Sequence, residues 1–216
     1  MQWREVVQQA LAEWVTAVYE DPVARHCAAF LQSQREQMTV LVARTEQLAQ
    51  RLRAKMPAFT LCHADMHAGN VLIGDGAFYV VDWDTLLFAP KERDLMFAGA
   101  GLFGHGRSPA EEETLFYQGY GVTEVNVTAL AYYRRERIIE DIAIYCQQLL
   151  LSNDGGADRV QSLYYLKSNF LPGSTIELAE HTLANCLPSQ PLPEQLDLQQ
   201  TCLASVIPSE LFGSLP

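Results

Sequence analysis

The sequence predicts an α+β fold that is mostly helical, with a short β-hairpin set between helices. Apolar residues recur at helical spacing in residues 3–19 and again in residues 126–152, where they form one side of a long amphipathic helix. Between these regions, residues 71–73 and 78–81 flank the turn sequence Gly74-Asp75-Gly76, a pattern typical of a hairpin. Together the patterns predict helices that surround a small β-element.

Helix boundaries before the β-element are marked by aspartate and proline. In Asp21-Pro22 the aspartate predicts an N-cap and the proline a first helical position, so one helix ends before them and another begins. The second helical pattern runs on to Pro57, and its length allows a break near Ser33. Residues 59–62 then predict a short strand ahead of the hairpin.

Further helices are expected to complete a first domain, residues 1–187. Ser108-Pro109 predicts a capped helix start, and two more helices are expected over residues 157–169 and 175–186. The last segment, residues 188–216, is rich in Pro, Gln and Ser. This composition predicts a loosely held C-terminal tail.

Composition and charge restrict the classes of function. The 216 residues carry a formal net charge of −11, so a phosphate backbone would be repelled and nucleic acid is not an expected partner, whereas a cationic small molecule would be attracted. No apolar run approaches the ~20 residues that span a bilayer, so no membrane contact is expected. The five cysteines are scattered and odd in number, which favours reduced thiols in a cytoplasmic protein.

The pattern that points to chemistry lies in residues 63–70 and 82–84. Asp65 and Asn70 stand five positions apart, and Asp82 returns twelve positions later at the end of the predicted hairpin. Phosphoryl transfer requires a carboxylate that receives or orients the proton of the acceptor hydroxyl, together with oxygen ligands that hold Mg²⁺ against nucleotide phosphates. The spacing therefore predicts a phosphoryl-transfer centre made of these three residues.

Each polar residue of this region also has a structural interpretation. As a loop residue, Asp65 is suited to cap a turn, although its spacing to the other two residues favours catalysis. We expect His63 to hold the loop by packing and hydrogen bonding, and His67 either to support the site or to contact nucleotide or substrate. Asp84 is either a second metal contact or a surface acid at a helix start, and the second interpretation is favoured.

Two competing motifs lie in the same part of the sequence. His63-x-Asp65-x-His67 matches the metal triad of a hydrolase, because alternate strand residues point the same way, but this leaves the later Asn and Asp residues unexplained. Residues 99–104 match the nucleotide-loop pattern G-x-G-x-x-G, but they follow a segment that looks helical and lie after the predicted catalytic loop. We expect these glycines to allow close helix packing.

A resemblance to the aminoglycoside phosphotransferase family, which has a protein-kinase-like fold, is carried by CHADMHAGNVLIGDGAFYVVDWDTLLFAPKERDLMF. The segments ERIIEDIAIYCQQLLLS and LKSNFLPGS resemble its spectinomycin-phosphotransferase-like branch, so the resemblance covers residues 60–175. It implies transfer of the γ-phosphate of ATP, with Mg²⁺, to a substrate hydroxyl. It also implies that Asp65 is the catalytic base and that Asn70 and Asp82 are the metal ligands at the nucleotide.

The substrate implied by the resemblance is an aminoglycoside or aminocyclitol antibiotic. Such a molecule is cationic, and we expect acidic residues on the later helices to receive its ammonium groups, with Glu140, Asp141 and Asp154 as candidates. Surface solvation or a core ion pair explains Glu140 and Asp141 equally well. Choline and homoserine kinases share the catalytic motif, so a kinase of another small alcohol is an alternative.

In one respect the sequence departs from the family. Family members have a β-rich N-terminal lobe with a phosphate-covering loop and a lysine before the catalytic loop, whereas here residues 1–62 look mostly helical and Lys55 stands only ten positions before Asp65. We therefore expect a C-terminal lobe that is inactive alone (a truncated gene product or half of a split enzyme) or a non-catalytic remnant that binds a small molecule or a partner. The apolar surface that would meet the other lobe is expected to be exposed and to favour self-association.

Overall fold

Helices dominate the structure, a computed structural model that describes residues 2–100 and 107–184. In this part of the chain the helices are α1 Gln2–Ala12, α2 Pro22–Ser33, α3 Arg35–Ala54, α4 Glu92–Leu95, α5 Pro109–Tyr120, α6 Val127–Cys146, α7 Asp158–Ser168 and α8 Thr175–Ala184. The strands are β1 Thr60–Cys62, β2 Val71–Gly74, β3 Ala77–Val80 and β4 Leu87–Ala89. The predicted α+β, mostly helical fold is confirmed. The predicted tail, residues 188–216, lies outside the described residues.

Local capping sets where the first helices begin and end. The carboxylate of Asp21 accepts hydrogen bonds from two backbone N–H groups in the first turn of α2, at 3.2 and 3.0 Å, so it caps this helix as predicted. α2 and α3 are separate helices that meet at Gln34, close to the predicted break. α1 is shorter than predicted and ends at Ala12. A 3₁₀ helix, Trp14–Thr16, follows it, and the chain then becomes extended at Ala17 (ψ 157°), which leaves Val18 98% exposed.

α6 is the central helix of the core. Its inward face carries Ile138, Ile139 and Ile142, each at most 4% exposed, and it packs against α1, α3 and α8. Burying a side chain of this size contributes about 1.5–3 kcal/mol, so this face holds α6 firmly. The helix predicted over residues 126–152 ends in one π turn, Gln147–Leu151. None of the described helices, α6 included, is long and apolar enough to cross a membrane.

β2 and β3 form the predicted hairpin, which carries polar residues at its base. The strands are antiparallel, with Val71 opposite Val80. Asp75 and Gly76 make the turn with φ values of 51° and 73°, in the left-handed region that aspartate and glycine tolerate. The hairpin therefore brings Asn70, the residue before β2, to the same end as Val81 and Asp82, the residues after β3.

β1 pairs with β4, a strand that the sequence did not predict because three residues are too few to show a β-type alternation. Apolar side chains on these strands and on the hairpin are open to solvent: Leu61 is 56% exposed, Ile73 78%, Phe78 75% and Phe88 70%. The β-element thus has the exposed apolar surface that was expected. Self-association through this surface stays a prediction.

Gly99, the first glycine of the G-x-G-x-x-G pattern, allows a close approach between two parts of the chain. It has a φ of +67°, and a Cβ at this position would lie 2.8 Å from the carbonyl oxygen of Pro109 and 2.9 Å from Cβ of Glu113 on α5. It follows α4 rather than a strand, which argues against a nucleotide loop. The packing interpretation is confirmed for Gly99, whereas Gly101 and Gly104 lie outside the described residues.

A carboxylate from α4 holds the turn where β1 leads into residues 63–70. Asp94 uses its two oxygens to accept hydrogen bonds from the backbone N–H groups of His63 (3.1 Å) and Ala64 (2.7 Å). Ala64 is buried and has a φ of 69°, a conformation that costs a non-glycine residue about 1–3 kcal/mol. The two hydrogen bonds offset this cost and satisfy N–H groups beyond the end of the strand.

Replacing Asp94 with alanine should loosen this turn. Two N–H groups at buried residues lose their acceptor, which costs about 1–3 kcal/mol, so the exchange protection of the His63 and Ala64 amides should fall roughly ten- to a hundredfold. Hydrogen exchange followed by NMR measures both amides. The control is Asp158→Ala at an exposed position of α7. Unchanged protection in Asp94→Ala would contradict the assignment of Asp94 as the anchor.

Candidate active site

The loop of residues 63–70 buries its first histidine and leaves its aspartate partly accessible. His63 is 3% exposed, and its Nδ1 accepts a hydrogen bond from the backbone N–H of Asp65 at 3.3 Å, while its Nε2 donates to the carbonyl oxygen of Val81 at 2.9 Å. These contacts assign the tautomer with the proton on Nε2. His63 thereby ties the loop to the strand end just before Asp82, which matches the structural role expected of it.

The Asp65 carboxylate is held from several sides. Nδ2 of Asn70 donates to the carbonyl oxygen of Asp65 at 2.9 Å and to its Oδ2 at 3.2 Å. Nη1 of Arg137 on α6 donates to Oδ1 at 2.5 Å, and Nε2 of His67 lies 3.4 Å from Oδ2. The Asp65 side chain is 16% exposed, so it has a fixed orientation and still offers some surface to a bound molecule.

Asn70 and Asp82 stand at the base of the same hairpin. Asn70 precedes β2 and Asp82 follows β3, and the backbone N–H of Val81 donates to the carbonyl oxygen of Asn70 at 3.0 Å. Because Asn70 directs its Nδ2 to Asp65, its Oδ1 is left as an acceptor. The Asp82 side chain is exposed, and among the described residues its carboxylate has no hydrogen-bond or ion-pair partner.

This pair of oxygen donors fits Mg²⁺, whereas the competing metal triad does not form. One amide oxygen and one carboxylate are hard ligands of the kind that Mg²⁺ takes together with waters and phosphates. Both ring nitrogens of His63 are already used, by Asp65 and by Val81. Within residues 2–100 and 107–184, no three His, Cys, Asp or Glu side chains come together as a metal-binding group.

His67 and Asp84 differ in how they relate to Asp65. Nδ1 of His67 accepts a hydrogen bond from a loop N–H at 3.0 Å, so Nε2 carries the proton that faces Asp65. The His67 ring also packs edge-on against Phe97, with ring centres 5.5 Å apart. Asp84 lies exposed in the first turn of the 3₁₀ helix Trp83–Thr85, where a surface acid was expected.

Arg137 is a site residue that the sequence patterns did not single out. Its Nε donates to Oδ1 of Asp141 at 3.0 Å, one helical turn away, and its guanidinium carbon lies 5.7 Å from the ring centre of Phe97. Burial acts to lower the pKa of Arg137, but the charges of Asp141 and Asp65 outweigh it and the pKa is raised. Arg137 is therefore a permanent cation that bridges α6 and the loop.

A cavity of about 160 Å³ lies next to these residues. Its walls include His67, Phe97, Arg137, Asp141 and Leu178. Burial raises the pKa of Asp141 to about 6, against the opposing charge of Arg137, although 34% of the side-chain surface reaches solvent. A carboxylate in a largely apolar cavity is suited to orient a ligand with a cationic group.

The other two candidate acids have different surroundings. Glu140 lies 3.7 Å from Arg93 of α4, an ion pair of the kind expected as its alternative role. Asp154 lies in the turn before α7, where its Oδ2 accepts from the hydroxyl of Ser152 at 2.9 Å. Of the three acids, Asp141 is the one that the observed contacts join to Asp65, through Arg137.

The spacing of charged residues along α6 could have identified Arg137 as a site residue, whereas nothing in the sequence around Asp94 indicated its contact with the loop. Arg134, Arg137 and Asp141 recur at spacings of three and four along α6, so they share one face of a helix whose opposite side is apolar. A charged stripe on a buried helix needs partners, and a predicted polar loop is a candidate for them. Asp94 contacts Ala64 across 30 positions, so its role depends on the fold and not on local sequence.

The chain is similar to known phosphotransferases in sequence and in structure. The model of the phosphotransferase enzyme family matches residues 7–135. A crystal structure of spectinomycin phosphotransferase in complex with ADP and spectinomycin is 38% identical, with a TM-score of 0.75. A second crystal structure, of the AMP-bound complex, is 37% identical, with a TM-score of 0.71. Comparison with curated proteins gives no match.

These alignments extend over most of this chain and over part of the matched proteins. They cover 84% and 83% of this chain but 55% of each spectinomycin phosphotransferase chain, so the chain spans about half of their length. The family match contains Asp65, Asn70 and Asp82. The chain thus belongs to the phosphotransferase enzyme family, as its resemblance to aminoglycoside phosphotransferases implied.

Proposed function

We propose that the protein carries the phosphoryl-transfer centre of an ATP- and Mg²⁺-dependent kinase that acts on a hydroxyl of a small cationic molecule. The observation that carries the proposal is the 3.2 Å hydrogen bond from Nδ2 of Asn70 to the carboxylate of Asp65. This bond orients the carboxylate that would act as catalytic base. It also leaves the side-chain oxygen of Asn70 unused, at the same end of the hairpin as Asp82. Relatives crystallised with ADP, AMP and spectinomycin support a nucleotide and an aminocyclitol antibiotic as ligands, and hence a role in antibiotic resistance.

In this proposal each polar residue of the site has a separate task. Asp65 accepts or orients the proton of the substrate hydroxyl, and His67 donates from Nε2 toward the same carboxylate. Oδ1 of Asn70 and the carboxylate of Asp82 would hold Mg²⁺, which would supply positive charge to neutralise the phosphates. Asn70 also keeps Asp65 in place through Nδ2. Catalysis of phosphoryl transfer consists mostly of such positioning and charge stabilisation.

Charge and the adjacent cavity support a cationic substrate. The chain carries a net charge of −11, which raises the local concentration of cations around it. Asp141 lines the cavity together with Arg137, which contacts Asp65, and is the first candidate to orient an ammonium group. Glu140 and Asp154 are further candidates. Choline and homoserine are alternative substrates, because each also combines a hydroxyl with an ammonium group.

Free thiols support a cytoplasmic location for this activity. Cys27, Cys62 and Cys146 are buried and unpaired among the described residues. Burial raises the pKa of Cys27 to about 12 and that of Cys62 to about 11, so both are unreactive thiols at neutral pH. Buried reduced cysteines of this kind are typical of a reducing compartment.

Loss of the Asp65 carboxylate should remove most of the activity. The test uses a completed enzyme, in which this chain follows the N-terminal lobe of a matched spectinomycin phosphotransferase. Asp65→Asn should lower kcat by about 10²–10⁴ and leave the KM for ATP nearly unchanged, because Asp65 does not hold the phosphates. Steady-state phosphotransfer to aminocyclitols, aminoglycosides, choline and homoserine measures the effect and identifies the substrate.

Asp75→Asn is the matched control for this experiment. It makes the same chemical change in the hairpin turn, where asparagine also tolerates the left-handed φ of 51°, so its kcat should equal that of the parent. A near-normal kcat in Asp65→Asn would remove Asp65 from the role of base. An inactive parent with every substrate would favour the non-catalytic remnant instead.

Asp82→Ala should abolish Mg²⁺-dependent binding of ATP in the completed enzyme, since it removes the anionic ligand of the metal. Calorimetry with ATP in the presence and absence of Mg²⁺ measures this dependence. Asp84→Ala is the comparison, because Asp84 is an exposed acid two positions later and should bind Mg-ATP like the parent. Undiminished affinity in Asp82→Ala refutes its metal role, and a loss in Asp84→Ala makes Asp84 a second metal contact.

The 216-residue chain alone should show no measurable turnover and at best weak binding of Mg-ATP. The reason is that phosphoryl transfer needs the phosphates enclosed, and the family places part of that enclosure in the N-terminal lobe. Its exposed apolar strands should also make it self-associate. Light scattering gives the mass, and an ATP assay gives the rate. Robust turnover by a monomer would mean that residues 2–54 supply a function not recognised in their sequence.

A further inference from the structure

Arg137 occupies the space between two carboxylates that come from different elements. Its Nη1 donates to Oδ1 of Asp65 at 2.5 Å, and its Nε donates to Oδ1 of Asp141 at 3.0 Å. The first contact joins α6 to the loop of residues 63–70 across 72 positions. Its side chain is 29% exposed, so the guanidinium is largely enclosed by these groups and by Phe97.

These contacts fix the plane of the Asp65 carboxylate. Arg137 holds Oδ1 while Asn70 holds Oδ2 at 3.2 Å, so the carboxylate cannot rotate without losing one of the two hydrogen bonds. Asp141 in turn holds the guanidinium through a different N–H. A planar guanidinium presents these donors in a fixed fork, which the single ammonium group of a lysine does not reproduce.

We propose that Arg137 is a positioning residue for phosphoryl transfer, anchored by Asp141, which sets the orientation of the Asp65 carboxylate toward the substrate hydroxyl. The inference rests on the proposed function. It also gives Asp141 a task besides the reception of substrate cations. A misplacement of about 1 Å costs about 10²-fold in rate, so loss of this contact affects kcat rather than the KM for ATP.

The first measurement needs no activity and uses the 216-residue chain. The NMR resonance of the Asp65 side-chain carboxyl carbon should shift in Arg137→Ala, and added methylguanidine should move it back by occupying the vacated space. Arg44→Ala is the matched control, because Arg44 forms an ion pair with Glu180 between helices at a similar exposure of 32% and should leave the resonance unchanged. An Asp65 resonance that does not respond to Arg137→Ala overturns the inference.

The second measurement uses the completed enzyme. Arg137→Ala should lower kcat by about 10- to 100-fold with the KM for ATP nearly unchanged, and methylguanidine should restore part of the rate. Arg137→Lys should remain slow although it keeps the charge, and Arg44→Ala should match the parent. A parent-like kcat in Arg137→Ala overturns the positioning role. An inactive parent overturns the proposed function, and the resonance then still decides whether Arg137 holds Asp65.

Discussion

The contacts of the site depend on how residues 63–70 satisfy their own backbone groups. This loop begins where β1 ends, so its N–H and C=O groups need partners other than a neighbouring strand. Asp94 accepts from two of the N–H groups, and the Asn70 side chain donates to the carbonyl oxygen of Asp65. Because the backbone is anchored in this way, a left-handed residue at Ala64 is tolerated and the Asp65 side chain takes a defined orientation.

The helix that fills the core also supplies charge to the site. Ile139 and Ile142 of α6 are fully buried in the core, while Arg137 and Asp141 line the cavity. Taking charges out of water costs several kcal/mol each unless they are paired, and here one guanidinium lies between two carboxylates that remain partly exposed. A helix held by its core residues cannot shift independently of them. The guanidinium consequently has the rigid support that a positioning residue requires.

Local sequence signals predicted most helices and the hairpin. The strand pairing and the site contacts that the sequence did not reveal depend on residues far apart in the chain. Asp21 as a cap and the hairpin turn at Asp75-Gly76 were predictable, because each depends on neighbours within a few positions. β4 was not predictable, since it exists only through its pairing with β1. The polar triplet of the site was found by spacing alone. The contact of Asp94 with the loop backbone at Ala64 and the contact of Arg137 with the Asp65 carboxylate join distant positions and required the fold.

The hairpin of β2 and β3 carries exposed apolar side chains and has both candidate metal ligands at its base. A two-stranded hairpin is only marginally stable by itself, and this one is tied to the loop through Val81, which contacts both His63 and Asn70. Asn70, whose carbonyl oxygen accepts from Val81, is buried. Asp82, the residue after Val81, is exposed and has a left-handed backbone conformation. Any surface that covered the apolar strands would restrict the hairpin and with it Asp82. The relative positions of the two candidate ligands, Asn70 and Asp82, therefore depend on whatever packs on the hairpin, even where that surface does not contact either residue.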